Sequence, residues 1–327
     1  MAYSKSKLLN IKNFDEIYDM LINNCANPDT RFHPTAGDFS FLVNFEEELE
    51  LFMGKAFQWK NDKNILVGIA WPDHRGTHYI CTRQTDPKIY DVILNDIEAG
   101  VSGSDEIWLW NCETDTAKQD VLKHRGYGTN GWYMFYGHKS LDNFIPKINL
   151  PDGYTIRELA DTDISAKADL MGVSMGDIED RTPEKYRSMQ KSMVYDKRTD
   201  LVVVDKKNTV VAFINGWLDV QNKMGVIEPC GTSHEHSGKG LMTNLMNHLF
   251  MIYKRIGITD VYIPHGGLCT YEDENDDAMR LYKKMGFKEV YKMFVRIKNY
   301  DLSKHDEYEN QAYKNFYEMK NSNDRKV

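Results

Sequence analysis

The stretch GTSHEHSGKGLMTNLM, residues 231–246, decides how this chain is interpreted. A polar run with two histidines is followed by two glycines that flank a lysine, Gly238-Lys239-Gly240. From Leu241 onward, apolar residues recur at helical spacing, which predicts an amphipathic helix that begins at this bend. The N-terminus of a helix presents free N–H groups and the positive end of the helix dipole, and glycines let an anion come close. The stretch therefore predicts a pyrophosphate-binding loop.

Other interpretations of this loop fail on spacing. The loop does not match GxxxxGK[ST], and the spacing of GxGxxG does not fit. His234 and His236 are placed to share a metal ion, but no third ligand with recognisable spacing follows. We therefore expect two solvated loop histidines and no metal.

Length and charge narrow the class of protein. The chain has 327 residues, which predicts two domains, and 41% of them are hydrophobic, enough for packed cores. The formal charge is −8, whereas nucleic-acid binding needs a basic face, so no nucleic-acid partner is expected. The abundance of Lys, Asn and Asp is typical of a bacterial, AT-rich coding sequence.

Cysteine usage and hydropathy predict a cytoplasmic protein. The five cysteines are widely spaced and form no CxxC pair, so reduced thiols are expected rather than a disulfide framework. The N-terminal twenty residues carry no continuous apolar run of the kind found in signal peptides. No apolar window is long enough to cross a bilayer, and no membrane partner is expected.

A domain boundary is predicted near residue 150. The segment FIPKINLPDGYTIREL, residues 144–159, carries two prolines and a Pro-Asp-Gly turn before an alternating strand. We expect a first domain over residues 1–149, a second over 150–300, and a tail over 301–327 that is helical or flexible.

The second half predicts a clear order of elements: strand, two helices, three strands, helix, strand, helix, strand. A hairpin is expected over residues 200–220. A helix is expected over residues 182–196, capped by Thr182 with Pro183 in its first position. Gly286 is expected to end the last helix.

The two halves of the chain contain a similar segment, and this repeat is called here the echo. LKHRGYGTNGWYMFYG, residues 122–137, and YKKMGFKEVYKMFVRI, residues 282–297, each contain a helix end, a glycine-aromatic pair and a strand with a Met-Phe step. Their offset of 160 residues is close to half the chain. A duplicated fold is therefore favoured over chance.

Three motifs in order resemble the GNAT acetyltransferase superfamily. Its pyrophosphate motif, Arg/Gln-x-x-Gly-x-Gly/Ala, corresponds to residues 237–242, and Glu228 lies late in the strand before it. Its later motif, Asn-x-x-Ala-x-x-Leu-Tyr followed by Gly-Phe, is complete. The matching residues are Asn275, Ala278, Leu281, Tyr282, Gly286 and Phe287.

The resemblance spans residues 154–298. With the echo, it implies an α/β (α+β) chain of two tandem GNAT domains, each a mixed, mostly antiparallel sheet flanked by helices. This layout is similar to that of mycothiol synthase and its relatives.

The resemblance also implies acetyl-CoA as co-substrate and assigns residue roles. Glu228 is the expected base that accepts the amine proton, and Tyr282 is the expected acid that protonates the leaving thiolate. A backbone N–H near Cys230 is expected to face the oxyanion. The residues implied to bind the cofactor are Cys230, Gly231, Thr232, Ser237, Gly238, Lys239, Gly240, Leu241, Met242 and Asn275.

The residues alone leave other roles open. Glu228 would also suit binding of a substrate ammonium, Tyr282 would suit a helix core, and Asn275 would suit a helix N-cap. Cys230 has no evident triad partner and is expected to pack rather than to act as a nucleophile. The acidic run 271–277 would suit attraction of a cationic amine, but a solvated cluster of loop charges is the favoured interpretation.

Two residues on the preceding strand, Trp217 and Asp219, are candidates for lining the acceptor pocket. Trp217 fits an ordinary core equally well. Neither residue belongs to a motif, so their assignment rests on position alone.

Some positions depart from the family pattern. Ser237 stands where Arg or Gln is usual, and Met242 where Gly or Ala is usual. In the first half, Asp115 and Leu122 fall where Asn275 and Tyr282 lie in the second, and the loop RQTDPKIY has no glycine pair. The first domain is therefore interpreted as a degenerate GNAT fold without its own cofactor site.

The expected function is acetyl transfer from acetyl-CoA to a primary amine of a small molecule, or to a peptide N-terminus or lysine. The protein is expected to be a monomer or homodimer. One alternative is a tRNA-dependent aminoacyl- or acyltransferase built from paired GNAT folds, which the acidic balance disfavours. Another is a non-catalytic CoA-binding module, which Glu228 and Tyr282 disfavour.

Overall fold

The computed structural model describes most of the chain, with several gaps. The described residues are 3–7, 14–26, 34–46, 49–73, 76–83, 87–103, 105–129, 131, 133–175, 181–264, 277–301 and 303. The predicted helical or flexible tail lies outside them, apart from residues 301 and 303.

Twelve β-strands are found among the described residues, six in each half of the chain. The strands of the first half are β1 (Tyr3–Lys7), β2 (Phe57–Asn61), β3 (Leu66–Pro72), β4 (His78–Thr82), β5 (Ile107–Cys112) and β6 (Tyr133–Ser140). The strands of the second half are β7 (Thr155–Glu158), β8 (Tyr195–Val204), β9 (Val210–Asp219), β10 (Met224–Thr232), β11 (Asp260–Pro264) and β12 (Lys288–Lys298).

Nine α-helices lie in the same described ranges. The first half contributes α1 (Phe14–Asn24), α2 (Ala36–Phe41), α3 (Leu49–Lys55), α4 (Pro87–Ala99) and α5 (Thr116–His124). The second half contributes α6 (Ile164–Met175), α7 (Pro183–Met189), α8 (Leu241–Ile256) and α9 (Asp277–Lys284).

All twelve strands form one continuous sheet, in the order β1-β2-β3-β4-β5-β12-β6-β11-β10-β9-β8-β7. Each strand of the first half corresponds to the strand six places later in the chain, β1 to β7 and so on to β6 and β12. Replacing every strand by its counterpart reverses the order of the sheet. The sheet therefore has an approximate twofold axis between β12 and β6. In each half the fourth and fifth strands run parallel, and the other neighbours are antiparallel. The repeat is the duplicated fold that the echo predicts.

Each half gives its last strand to the other half. β12 lies between β5 and β6, and β6 in turn pairs with β11. At the axis, Met134 of β6 pairs with Met293 of β12, so the Met-Phe steps of the echo meet there. Neither half therefore completes its sheet with its own strands.

The two faces of the sheet are covered differently. One face carries a single apolar core to which both halves contribute, called here the shared core, with buried Phe39 from α2 and buried Trp217 from β9. On the other face, α8 covers the second half and α4 with α5 covers the first, as two separate cores. The predicted boundary near residue 150 stays a prediction, since burial joins the halves on one face.

Local sequence signals explain several element ends. The Thr182 hydroxyl accepts a hydrogen bond from the Lys185 N–H at 3.3 Å, and Pro183 is the first helical residue, as predicted. Gly286 adopts a left-handed φ of 85° after α9, as predicted for a C-cap. The helix predicted over 182–196 ends earlier, at Met189, because residues from 195 onward pair with β9.

The structure confirms the predicted class, an α/β chain with a mixed, mostly antiparallel sheet flanked by helices. It adds that the sheets of the two halves are one sheet. Sequence patterns describe strands singly, so the pairing of β12 with β5 had no signal along the chain.

Candidate functional site

Strands β10 and β11 begin side by side and then separate. Their ladder covers only Met224 to Val226 on β10, while β10 continues beside β9 as far as Thr232. A cleft of about 760 Å³ opens where β10 loses this partner. Its walls are the end of β10, the loop before α8, the first turn of α8 and one face of α9.

The loop before α8 has the geometry of an anion cradle. Gly238 and Gly240 both adopt a φ of 73°, in the left-handed region that glycine tolerates. Gly240 is the N-cap of the sixteen-residue helix α8, whose first turn carries no acidic residue. A Cβ added at Gly238 would meet nothing within 4 Å, so space is open above the loop. Free helix N–H groups beside open space fit the phosphates of CoA.

Contacts outside the motif hold this loop in place. The Asn244 side chain donates to the Gly240 carbonyl at 2.9 Å, and its Oδ1 accepts from the Asn149 N–H at 2.6 Å. The Tyr154 hydroxyl lies 2.9 Å from Nδ1 of His236. Asn149 and Tyr154 precede β7, and no sequence motif pointed to either of them.

The side chain of Lys239 does not line the cleft. Its ammonium donates to the Glu235 carbonyl at 2.9 Å and lies 5.9 Å from the ring centroid of Tyr154. The backbone of Lys239 remains in the loop. The prediction that Lys239 binds the cofactor therefore applies to its backbone N–H and not to its ammonium charge. Ser237 and Met242 do line the cleft, and Met242 also packs against the core under α8.

Cys230 and Tyr282 face each other at the cleft, with Sγ and Oη 3.7 Å apart. Tyr282 is buried, with 9% of its surface exposed. Burial raises the pKa of the Cys230 thiol to about 11; the hydrogen bond with Tyr282 lowers it and the charge of Glu228 raises it. The thiol is therefore neutral near pH 7, which favours the predicted packing role over a nucleophile.

Glu228 lies at a β-bulge. The register between β10 and β9 shifts between Ile227 and Cys230. The Glu228 carbonyl accepts hydrogen bonds from Nε1 of Trp217 at 2.6 Å and from Nδ2 of Asn215 at 3.3 Å. A bulge re-aims side chains at the point where strand pairing is interrupted.

Of the predicted base and acid, only Tyr282 is among the residues that line the cleft. Tyr282 also belongs to the core under α8. Glu228 is not among those lining residues, but its charge reaches the Cys230 thiol, whose pKa it raises.

Neither Trp217 nor Asp219, the residues expected to line the acceptor pocket, is among those that line this cleft. Trp217 is 1% exposed and holds the Glu228 carbonyl, so it supports the site rather than lining a pocket. The Asp219 carboxylate accepts from the N–H and the side-chain amide of Asn222 in the turn before β10. Asp219 pairs with Met224, at the opposite end of β10 from the cleft.

The equivalent gap in the first half is closed. Lys118 of α5 is 4% exposed, and its ammonium donates to the carbonyls of Trp110 on β5 at 2.7 Å and Ile80 on β4 at 3.3 Å. Asp115 caps α5 by accepting from the Lys118 N–H at 3.0 Å, and Leu122 is buried. The Lys118 side chain therefore bridges β4 and β5.

One residue beside the gap between the strands differs in side-chain size and charge between the two halves. When Gly126 is aligned with Gly286, Lys118 corresponds to Ala278, which lines the cleft of the second half. A small residue leaves room between the strands, and a lysine fills it. The interpretation of the first half as lacking its own cofactor site is in keeping with this replacement.

Some predicted positions lie outside the described residues. These are Asn275 and most of the acidic run, residues 271–276, together with Cys269. Within the described ranges, Cys25, Cys81, Cys112 and Cys230 form no disulfide. No group of three or more potential metal ligands occurs among the described residues.

The described helices are also too short or too polar to cross a membrane. The longest, α8, has sixteen residues and an apolar face that is buried against the sheet.

Comparison with known proteins agrees with this geometry. Residues 168–287 match the model of the acetyltransferase (GNAT) family, and the segment runs from α6 through the glycine loop to Phe287. The matched segment, residues 168–287, therefore agrees with the resemblance to the GNAT family. No curated protein sequence matches the chain.

Solved structures share the fold over most of the chain. A GCN5-related N-acetyltransferase from Sphaerobacter thermophilus is 15% identical, with a TM-score of 0.57 over 90% of this chain and 95% of that one. A tandem GNAT protein from the clavulanic acid biosynthesis pathway is 11% identical, with a TM-score of 0.61 over 91% and 98%. N-myristoyltransferase of Saccharomyces cerevisiae, with bound myristoyl-CoA, is 14% identical, with a TM-score of 0.53 over 91% and 79%. The fold is that of a tandem GNAT protein.

Proposed function

We propose that this protein is an N-acetyltransferase that moves an acetyl group from acetyl-CoA to a primary amine by direct attack on the thioester. The acceptor is a small molecule, or the N-terminus or a lysine of a peptide. The observation that carries this proposal is the cleft beside β10, with a glycine cradle in one wall and Tyr282 beside Cys230 in another.

The donor site suits a CoA thioester. Backbone N–H groups at the start of α8 complement phosphate charge, and the left-handed glycines leave the space that a pyrophosphate needs. Beyond Val226, no described residue pairs with β10 on the side of β11, and this edge suits a pantetheine chain that pairs with it like a strand. One fold neighbour was solved with bound myristoyl-CoA, which supports a CoA thioester as donor.

Acetyl-CoA supplies a thioester carbon that an amine attacks, forming a C–N bond as the C–S bond breaks. Glu228 takes the proton that the amine loses. Tyr282 gives a proton to the leaving thiolate, and its position beside the Cys230 sulfur suits that task. Backbone N–H groups near the bulge at Glu228 stabilise the oxyanion.

We propose one donor site in each chain. Lys118 holds β4 and β5 together through carbonyls of both strands, which leaves no room for a pantetheine in the first half. The first half then serves as a structural partner of the catalytic half.

The test is an amine library with acetyl-CoA, followed by release of free thiol, together with calorimetry of CoA binding. We expect CoA binding and turnover with at least one amine. Failure to bind CoA, or binding without turnover on any amine, would contradict the proposal.

Two glycine variants separate the effect of the loop on CoA binding from the effect of backbone strain in α8. Gly240 and Gly257 cap the two ends of α8 in left-handed conformations, with φ of 73° and 99°. Gly240→Ala is expected to weaken CoA binding, and Gly257→Ala to leave it unchanged, because both strain the backbone but only Gly240 lines the cleft. Equal effects of the two variants on CoA binding would show that the loop is only a structural turn.

A further inference from the structure

A histidine that belongs to no motif lies in the wall of the cleft. His236 is the last residue of a short 3₁₀ turn, His234–His236, that ends directly before the glycine loop. It lines the cleft together with Gly238 and Gly240 of that loop. His236 is half-buried, whereas His234 is exposed and is not among the lining residues. Two histidines that look alike in sequence therefore differ in what they can reach.

Tyr154 holds one ring nitrogen of His236. The Tyr154 hydroxyl lies 2.9 Å from Nδ1 of His236, and the two rings meet edge to face, with centroids 5.7 Å apart. Among the described residues, Nδ1 is the only acceptor within hydrogen-bond distance of this hydroxyl. The phenol therefore donates to Nδ1, and the ring is fixed in both position and tautomer.

The second ring nitrogen is left for a ligand. A neutral imidazole carries one N–H, so with Nδ1 of His236 accepting from Tyr154 the proton lies on Nε2. Nε2 has no hydrogen-bond partner within the described part of the chain. Because His236 lines the cleft, this donor is available there beside the free N–H groups at the start of α8.

The glycine loop offers a phosphate few other side-chain donors. The Lys239 ammonium donates to the Glu235 carbonyl, and Lys239 is not among the residues that line the cleft. Ser237 lines the cleft with a short hydroxyl only. The cationic side chains of Arg280 and Lys284 also line it, but they belong to α9, which forms a different wall. An imidazole N–H directly before the loop supplements the backbone groups of the cradle.

We propose that His236 is a CoA-binding residue whose Nε2–H donates to a phosphate oxygen of CoA, and that Tyr154 is a positioning residue that orients the ring. This inference deepens the proposed N-acetyltransferase function and rests on it, using only its CoA site. Tyr154 precedes β7 and lies outside residues 168–287, the segment that matches the family model. The phosphate site then includes a contact from the segment that joins the two halves.

The test measures the CoA dissociation constant by calorimetry in His236→Asn and His236→Gln. Asparagine reaches about as far as Nδ1 and keeps a group for Tyr154, whereas glutamine reaches about as far as Nε2 and keeps a donor for the phosphate. We expect His236→Asn to raise the constant about tenfold or more, as for a lost hydrogen bond to a charged group. His236→Gln should raise it less than about threefold.

The matched control is His234→Asn, in the same turn but outside the cleft lining. It should leave the CoA dissociation constant within about twofold of the wild-type value.

A double-mutant cycle tests the role of Tyr154. Tyr154→Phe should raise the CoA dissociation constant about threefold in the wild type and have no further effect in His236→Asn, because the phenol acts through the imidazole. A tyrosine that only stabilises the fold would have the same effect in both backgrounds, and that result would overturn its positioning role.

Dephospho-CoA, which lacks the 3′-phosphate, identifies the phosphate concerned. Equal losses of CoA and dephospho-CoA binding in His236→Asn support a contact with the pyrophosphate. A loss confined to CoA supports a contact with the 3′-phosphate. Either result supports the inference that His236 binds a phosphate of CoA.

The remaining outcomes separate this inference from the proposed function. Unchanged CoA binding in His236→Asn, or equal losses in His236→Asn and His234→Asn, overturns the inference and leaves the proposed function intact. Equal losses in His236→Asn and His236→Gln overturn the assignment to Nε2. A wild type that binds no CoA overturns both, and a wild type that binds CoA but acetylates no amine overturns the proposed function alone.

Discussion

Met134 and Met293 lie directly opposite each other in the sheet, one on the last strand of each half of the chain. Because β12 separates β5 from β6, and β6 separates β12 from β11, the halves are joined by backbone hydrogen bonds as well as by the shared core. This exchange makes each half depend on the other.

Dividing the chain should therefore expose strand edges and apolar surface. We expect residues 150–327, produced alone, to be insoluble or to melt far below the whole chain, because β11 loses β6 and β12 loses both of its neighbours. Solubility and thermal melting measure this. Co-production with residues 1–149 should restore a soluble pair, and a soluble, fully active 150–327 fragment would show that the exchange is dispensable.

Tyr282→Phe should lower kcat about a hundredfold or more, in the range expected for loss of a general acid. The CoA dissociation constant should stay within about twofold of the wild-type value, since the phenol is expected to act on the leaving thiolate alone. Steady-state rates and calorimetry separate the two quantities.

The control for this change is Tyr253→Phe. The Tyr253 hydroxyl is buried and bonds the Val226 carbonyl at 3.2 Å, but it does not line the cleft. It should affect stability and spare kcat. Unchanged turnover in Tyr282→Phe, with chemistry known to limit the rate, would reduce Tyr282 to a packing residue.

Calorimetry should count one CoA per chain. The reason is Lys118, whose ammonium closes the first-half gap between β4 and β5. Saturation at two equivalents of CoA would contradict this assignment. Unchanged CoA binding in Gly240→Val would also contradict it, because the valine side chain would enter the cradle.

The Cys230 thiol should alkylate slowly. Its pKa is raised to about 11, so its thiolate fraction at pH 8 is some hundredfold lower than that of an ordinary thiol, and the rate should keep rising with pH up to about that value. Peptide mapping after timed iodoacetamide treatment follows Cys230 alone. Rapid modification at pH 7.5, with a plateau below pH 9, would contradict the raised pKa.

A buried ion pair under α6 should matter for stability. Lys167 and Asp200 are fully buried, 2.5 Å apart, and Tyr186 also donates to Asp200 at 2.6 Å. Lys167→Met leaves the Asp200 charge without its cation, and we expect a loss of about 3–5 kcal/mol in the free energy of unfolding. Urea denaturation measures this loss, with the exposed Lys197→Met as control, which should stay within about 0.5 kcal/mol. Equal effects of the two changes would show that the pair contributes little.

Local features of this protein follow directly from its residues. Glycine spacing before an amphipathic run predicts the loop and helix α8, because left-handed backbone and helix N-termini have strong local residue preferences. Thr182 and Gly286 mark element ends for the same reason. The echo of the two halves predicts the duplication, since repeated sequence folds into repeated structure.

Contacts between distant parts of the chain depend on packing in three dimensions. The exchange of β6 and β12 and the closure of the first-half gap by Lys118 each join residues far apart in the chain. Their partners are chosen by packing and burial in a shared core, which one-dimensional spacing does not encode. For the same reason, Trp217 and Asp219 look alike as neighbours of Glu228 in sequence, yet only Trp217 reaches it, because strand register places Asp219 at the far end of β10.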